Sequence, residues 1–160
     1  MTGPESRAYV VHDHEGEAIS FLGALMVPKA QGPGTGQRFD LLDQRVPPGY
    51  APPRHRHERE DEAWYVLEGE ASFWCGTDRF SAGPGSFVFL PQGVEHAFLA
   101  GPDGARLLTL TAPSGFASFV AELGEPATDG SSAAPASIDA HRLAEVAARY
   151  GIVVTGPPPR

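Results

Sequence analysis

The sequence predicts an all-β barrel or sandwich followed by short C-terminal helices. Three observations predict it. Glycine and proline are abundant, 19 and 16 of 160 residues, and they cut the chain into many short apolar runs. Those runs carry residue pairs two apart, such as Phe87 and Phe89, the spacing that lines one face of a strand. Helical spacing appears after Pro113, in Phe116, Phe119, Val120 and Leu123.

In chain order, strands are expected at Phe21–Val27, Arg38–Arg45, Ala63–Leu67, Ala71–Cys75, Ser86–Leu90, His96–Leu99 and Leu107–Thr111. Gly32-Pro33-Gly34-Thr35-Gly36 reads as a hairpin-like loop, and Gly83-Pro84-Gly85 and Pro91-Gln92-Gly93 as tight turns. Gly124 and Pro126 stop the helix that Phe116 begins. Small and polar residues then suggest a flexible linker. Ser137 or Asp139 caps a second helix carrying Leu143, Val146 and Ala147, and the end from Ile152 docks briefly and frays. The expected division is a barrel over 1–123, a linker over 124–136 and a helix with its tail over 137–160.

A chain of 160 residues is long enough for one domain with a sizeable core. The net charge of −8 opposes binding to nucleic acid. No stretch of about 18 apolar residues offers a membrane span, and the first residues lack the apolar centre of a signal peptide. The single cysteine, Cys75, allows no internal disulfide. Together these features predict a cytoplasmic protein.

Two stretches fit together as one metal site. The first runs from Gly49 through His55, His57 and Glu62 to Gly69. The second runs from Gly85 through Pro91 and Gly93 to His96. On a strand, His55 and His57 would share a face about 7 Å apart, a separation at which two rings can converge on one ion. Glu62 opens the apolar run Ala63–Leu67, so a carboxylate there can face the pair from a neighbouring strand. His96 is distant in sequence and needs the fold to bring it close. Three imidazoles and a carboxylate suit Ni, Fe, Mn, Co, Cu or Zn. His12 and His14 form a second H-x-H pair, but neither a glycine frame nor a partner motif accompanies it.

This double pattern resembles the cupin family. Its first motif, G-x5-H-x-H-x3-4-E-x6-G, is matched by Gly49, His55, His57, Glu62 and Gly69. Its second, G-x5-P-x-G-x2-H-x3-N, is matched by Gly85, Pro91, Gly93 and His96, with Ala100 where the family has asparagine. That last position is not a metal ligand in the family, so the departure concerns the turn alone. The resemblance implies a double-stranded β-helix, a small jelly-roll barrel, with a divalent metal held inside by His55, His57, Glu62 and His96. It extends over about residues 20–123, and cupins often pair as homodimers through sheet edges.

The stretches His55–Gly69, Gly83–Phe98, Pro113–Phe119 and the helix end at Tyr150 also resemble the quercetin 2,3-dioxygenase-like group of cupins. That likeness implies ring opening of a flavonol by O2 with release of carbon monoxide. Glu62 would be both a ligand and the catalytic base. Parity puts Trp64 on the face of Glu62 and Phe98 on that of His96. With Tyr50, Phe73, Phe87 and Phe116 they make an expected pocket for a small aromatic substrate, and Phe116 and Phe119 could form its lid or pack a helix onto the sheet. Two alternatives stay open: a metal-dependent cyclase or isomerase acting on a polyketide-like precursor, and a non-catalytic cupin that binds a small molecule.

Overall fold

A computed structural model describes residues 7–128 and 138–160. Among them the chain forms ten strands and three helices: β1 Ile19–Phe21, β2 Ala24–Ala30, α1 Gly32–Thr35, β3 Asp40–Val46, β4 Arg54–His57, β5 Asp61–Cys75, β6 Asp78–Ala82, β7 Phe87–Leu90, β8 His96–Ala112, α2 Phe116–Leu123, β9 Glu125–Pro126, α3 Ala140–Arg149 and β10 Ile152–Gly156. The sheet is antiparallel throughout, as a jelly-roll barrel requires.

Two long strands organise the barrel. β5 and β8 pair from Asp61↔Ala112 to Cys75↔His96, with register shifts between Val66 and Glu68 and between Gly69 and Ala71. At those irregularities the ribbon bends from one sheet into the other. The strands expected at Ala63–Leu67 and Ala71–Cys75 are therefore halves of one strand, as are His96–Leu99 and Leu107–Thr111. Gly69 sits at the bend with φ +72°, where a Cβ would stand 2.1 Å from the Gly104 carbonyl oxygen. Only glycine fits there.

On one side of this ribbon lie β7, against residues 62–65 of β5, and β3, against β8. β2, β1 and β9 follow outward from β3. On the other side, β6 pairs with the second half of β5, while β4 meets β8 at His55↔His96 and β10 covers the far edge of β4. The expected strand Phe21–Val27 is interrupted by a turn, with Leu22 at φ 50° and Gly23 at φ 88°. The loop expected at Gly32–Gly36 contains one helical turn, closed by Gly36 in the left-handed conformation.

The barrel closes over a buried aromatic cluster. Trp64 meets Phe73 and Phe98 edge-on at 5.0 and 4.4 Å between ring centroids, among Leu42, Val66, Leu90 and Leu107. The helix starting at Phe116 forms as its spacing predicts and ends before Gly124. Asp40 anchors its entry by accepting from the backbone N–H groups of Gly115 and Ala117. Asp139 caps α3 by accepting from the His141 N–H at 3.0 Å. Ser137, the other expected cap, and most of the expected linker lie outside the described residues. Glu125 and Pro126 pair with β1. The chain from Ile152, expected to dock briefly, does so as a strand of the barrel over Ile152–Gly156. Arg149 and Tyr150 tie α3 to α2 by donating to Glu122.

Candidate metal centre

β4 presents His55 and His57, the start of β5 presents Glu62, and the start of β8 presents His96. Each offers one ligand atom, and these four atoms lie within 4.8 Å of one another. The turn at Pro91–Gly93 joins the two motifs directly, because the Gly93 N–H donates to the His57 carbonyl at 2.8 Å. Gly93 has φ +78°, which explains a glycine at that place in the motif.

The three rings are oriented alike. His55 Nδ1 lies 2.7 Å from the Pro53 carbonyl oxygen and His96 Nδ1 lies 3.0 Å from that of Val94. A carbonyl only accepts, so both Nδ1 atoms carry the proton. His57 Nδ1 donates at 2.9 Å to Oε1 of Glu60, a carboxylate as buried as the ring itself. Each ring therefore turns Nε2 inward. Trp64 fixes Glu62 by donating from Nε1 to Oε1 at 2.9 Å. The other oxygen, Oε2, sits 2.9 Å from His96 Nε2 and 3.4 Å from His57 Nε2.

Burial and charge divide the rings. Burial, then the neighbouring rings of His96 and His57, lower His55 to about 4, so it is neutral at pH 7. Burial would also lower His57, but Glu62 and Glu60 outweigh it and hold that ring up at about 10. Burial opposes the charge of Glu62, yet the neighbouring His57 and the hydrogen bond from His96 keep it well below the ordinary carboxylate range. Burial raises Glu60, and the hydrogen bond from His57 pulls it back in part.

The donor set fits a divalent ion. Without one, His57 Nε2 is buried and has no hydrogen-bond partner, since its 3.4 Å approach to Glu62 lies outside hydrogen-bond geometry. A buried nitrogen of this kind carries a desolvation penalty. A cation between the three Nε2 atoms and Glu62 would remove it. Three nitrogens and one oxygen are the donors of a borderline transition metal.

A cavity of about 60 Å³ opens beside His55 and Glu62, while His57 and His96 are not part of its lining. Of the expected pocket residues, Tyr50, Trp64, Phe98 and Phe116 line it. Phe73 does not: it is wholly buried behind Trp64 and Phe98 and serves the core. Phe87 is a correction. It is 67% exposed on the outer surface, because it registers with Tyr65 of β5 while Val88 and Leu90 take the inward positions. Phe119 lines the cavity and also packs on Phe21 at 5.4 Å, so the α2 aromatics both wall the pocket and dock the helix.

Some residues of the site are not evident from sequence. Glu60 lies in the charged run Glu58-Arg59-Glu60-Asp61, which hides it, although its i+3 spacing from His57 is a usable signal. Gln44 lines the cavity and accepts from Thr109 Oγ1 at 2.8 Å. Leu143, Ala147, Ile152 and Val154 come from α3 and β10 to complete the wall.

Comparison with known proteins agrees with this geometry. The cupin domain matches residues 42–111. The quercetin 2,3-dioxygenase of Bacillus subtilis is 25% identical over 118 residues, which are 74% of this chain and 35% of that enzyme. The chain thus spans about a third of the curated relative it matches. The solved structure of TT1209 from Thermus thermophilus is 31% identical and superposes with a TM-score of 0.51 over 56% of this chain and 83% of that one. KdgF from a Halomonas species shares the fold at a TM-score of 0.60, with 18% identity over 67% of this chain and 94% of that one. The domain match spans His55, His57, Glu62 and His96, and over residues 42–111 this chain is a cupin domain.

Proposed function

We propose that this protein is a metal-dependent dioxygenase that opens the ring of a flavonol or a related aromatic enol. The observation that carries the proposal is the cluster of three histidines and Glu62, of which His55 and Glu62 line a pocket walled by Tyr50, Trp64, Phe98 and Phe116. The partial likeness to a quercetin 2,3-dioxygenase supports it.

His55, His57 and His96 would hold the ion through Nε2, and Glu62 through a carboxylate oxygen. Bound there, a divalent transition metal supplies Lewis acidity and, in redox-capable cases, access to oxygen chemistry. Glu62 is ionised at neutral pH and can take the proton of the substrate's enol hydroxyl. Trp64 holds Oε1, which leaves Oε2 to receive it. The aromatic walls exclude water and strengthen the electrostatics of the site. In the overall reaction both atoms of O2 enter the ring-opened product and one ring carbon leaves as carbon monoxide.

The cavity sets a condition on this reading. At about 60 Å³ it is smaller than the roughly 150 Å³ that holds a benzene. A three-ring flavonol enters only if the wall formed by α2, α3 and β10 yields. The same dimension favours a second reading, a cyclase or isomerase acting on a more compact enol with Glu62 as acid and base and no oxygen.

Oxygen uptake separates the two. Protein loaded separately with Ni, Co, Mn, Fe, Cu or Zn is mixed with a flavonol at an oxygen electrode. Uptake that needs the metal and disappears in His55→Ala is the result expected. Flavonol binding without uptake under any metal rejects the dioxygenase and favours the second reading.

A further inference from the structure

The cavity beside Glu62 has a largely apolar wall, and most of the polar groups in it are engaged. His55 gives its Nδ1 proton to the Pro53 carbonyl and turns Nε2 toward the ion site. Trp64 donates its N–H to Glu62. Tyr50 is only partly buried, so solvent can serve its hydroxyl. Gln44 is different.

Gln44 lies on β3, whose inward positions are Asp40, Leu42, Gln44 and Val46. It is 3% exposed. Its Oε1 accepts from Thr109 Oγ1 at 2.8 Å. That bond fixes the amide and leaves the two N–H donors of Nε2 without a partner among the described residues. Nor is Nε2 sealed inside the wall, because the closed-off side-chain atoms without a partner are His57 Nε2 and Thr111 Oγ1. An unpartnered Nε2 that is not closed off faces the open space its residue lines, the cavity. The fold itself does not need this arrangement. Two apolar side chains of similar shape in place of Gln44 and Thr109 would be about as stable. A buried donor held in an apolar wall with nothing to bind is a recognition group for an acceptor.

Register gives its distance from the base. Gln44 pairs with Leu107, but its side chain reaches along β8 to Thr109. Thr109 is level with Trp64, and Thr111 with Glu62. The amide thus lies one inward step along the strands from the carboxylate, about 7 Å. Two hydrogen bonds of about 2.8 Å each fill most of that span. The two substrate oxygens that make them therefore sit on neighbouring carbons.

We propose that Gln44 is a specificity-determining residue of this site, its Nε2 donating to a carbonyl oxygen on the carbon next to the enol that Glu62 deprotonates. The proposal rests on the functional reading above for the enol, and adds the second group that the substrate must carry. Gln44 selects vicinal hydroxy-ketones over simple phenols, which would leave Nε2 buried without an acceptor. Thr109 is a positioning residue. Its hydroxyl holds Oε1, and so turns the donors of the amide toward the cavity.

Calorimetry tests this on the full chain loaded with zinc, which has no redox chemistry, in the absence of O2. One probe is maltol, a planar ring with an enol hydroxyl beside a carbonyl. The other is 2-methylphenol, a planar ring with the hydroxyl alone. Both are single rings, so each asks the wall to yield equally. The parent chain should bind maltol at least tenfold more tightly. Gln44→Met keeps the length and the packing but has no donor. It should weaken maltol binding about tenfold and 2-methylphenol binding less than twofold. The double variant Q44M/T109V strands no hydroxyl. It should match Q44M in both affinities, with the melting temperature of the parent and with its zinc content, measured after each titration. A parent that binds maltol no better than 2-methylphenol would overturn the proposal. So would maltol binding that survives Q44M, the mark of a carbonyl held by the metal instead, or equal losses for both probes, the mark of simple repacking. None of these readings involves O2. The assignment of Gln44 is decided by binding, and the dioxygenase separately at the oxygen electrode.

Discussion

Glu60 is the group whose replacement most directly tests how the centre is built. It accepts from His57 Nδ1 at 2.9 Å and is only 4% exposed. It acts on the ring in two ways. Its charge raises the basicity of the imidazole, and its oxygen fixes which nitrogen faces inward. Two variants separate these. Glu60→Gln keeps an oxygen that can accept but removes the charge. Basicity toward a proton and toward a metal then fall together, and because the metal must displace a proton from His57 at pH 7, the two losses largely cancel. A change in metal Kd of about threefold or less is expected, against the 10–100-fold typical when such a partner is lost outright. Glu60→Ala removes the acceptor, frees the ring to turn, and should weaken Kd by about 10–100-fold, or roughly 1.4–2.8 kcal/mol. It also strands a buried N–H, which costs the metal-free fold about 1–3 kcal/mol. Chelator competition gives the first quantity and urea unfolding in EDTA the second. Equal metal affinities in the two variants would refute the orienting role.

Three further outcomes are expected. Glu62→Gln should lower turnover by about 100-fold or more, the range of a lost general base, while metal occupancy falls much less; activity and occupancy falling in step would leave Glu62 a ligand only. The metal-free fold should be most stable near pH 6.5. Above it, the raised His57 pKa of about 10 makes stability fall by about 1.4 kcal/mol per pH unit; below it, the lowered His55 pKa of about 4 makes stability fall again at a similar slope, as does the lowered Glu62 once pH drops under 4.5. A urea midpoint that does not change between pH 5 and 10 would contradict those assignments. Gly69→Ala should destabilise by about 2 kcal/mol or more, because it combines a left-handed φ with a Cβ set on the Gly104 carbonyl, and a melting temperature within a degree of the parent would show that the bend can relax.

The four clustered side chains were legible because the chemistry of such a cluster forces a spacing that survives any detail of the fold. The H-x-H pair needs one strand face, and the glycines mark turns that only glycine can make. The strand β4 itself was not visible as a strand: Arg54, His55, Arg56 and His57 show no alternation of apolar and polar residues. β6 was missed for a related reason, since four of its five residues are exposed and leave no buried face to read. Phe87 shows the limit of parity. The pattern Phe-Val-Phe-Leu tells which residues share a face but not which face is inside, and the larger side chains here are the outer ones. Glu60 lay in a run of alternating charges, where nothing local distinguishes a buried carboxylate from a solvated one. Leu143, Ala147, Ile152 and Val154 reach the pocket through contacts from the far end of the chain, which no window of sequence records.

The strand that carries His55 and His57 is four residues long, and it meets β8 at a single residue pair, His55 with His96. Its other edge is held by β10, where Val154 pairs with His55 and Ile152 with His57. During synthesis, the β-ribbon from β5 to β8 can form while the ribosome still holds the later residues. The two histidines gain their second neighbour only once the chain has emerged through Gly156. The four-residue cluster is therefore completed only after β10 is available to pair. A chain cut before Ile152 should keep the β5–β8 ribbon and bind a divalent metal weakly, because His55 and His57 would lose the pairing with β10.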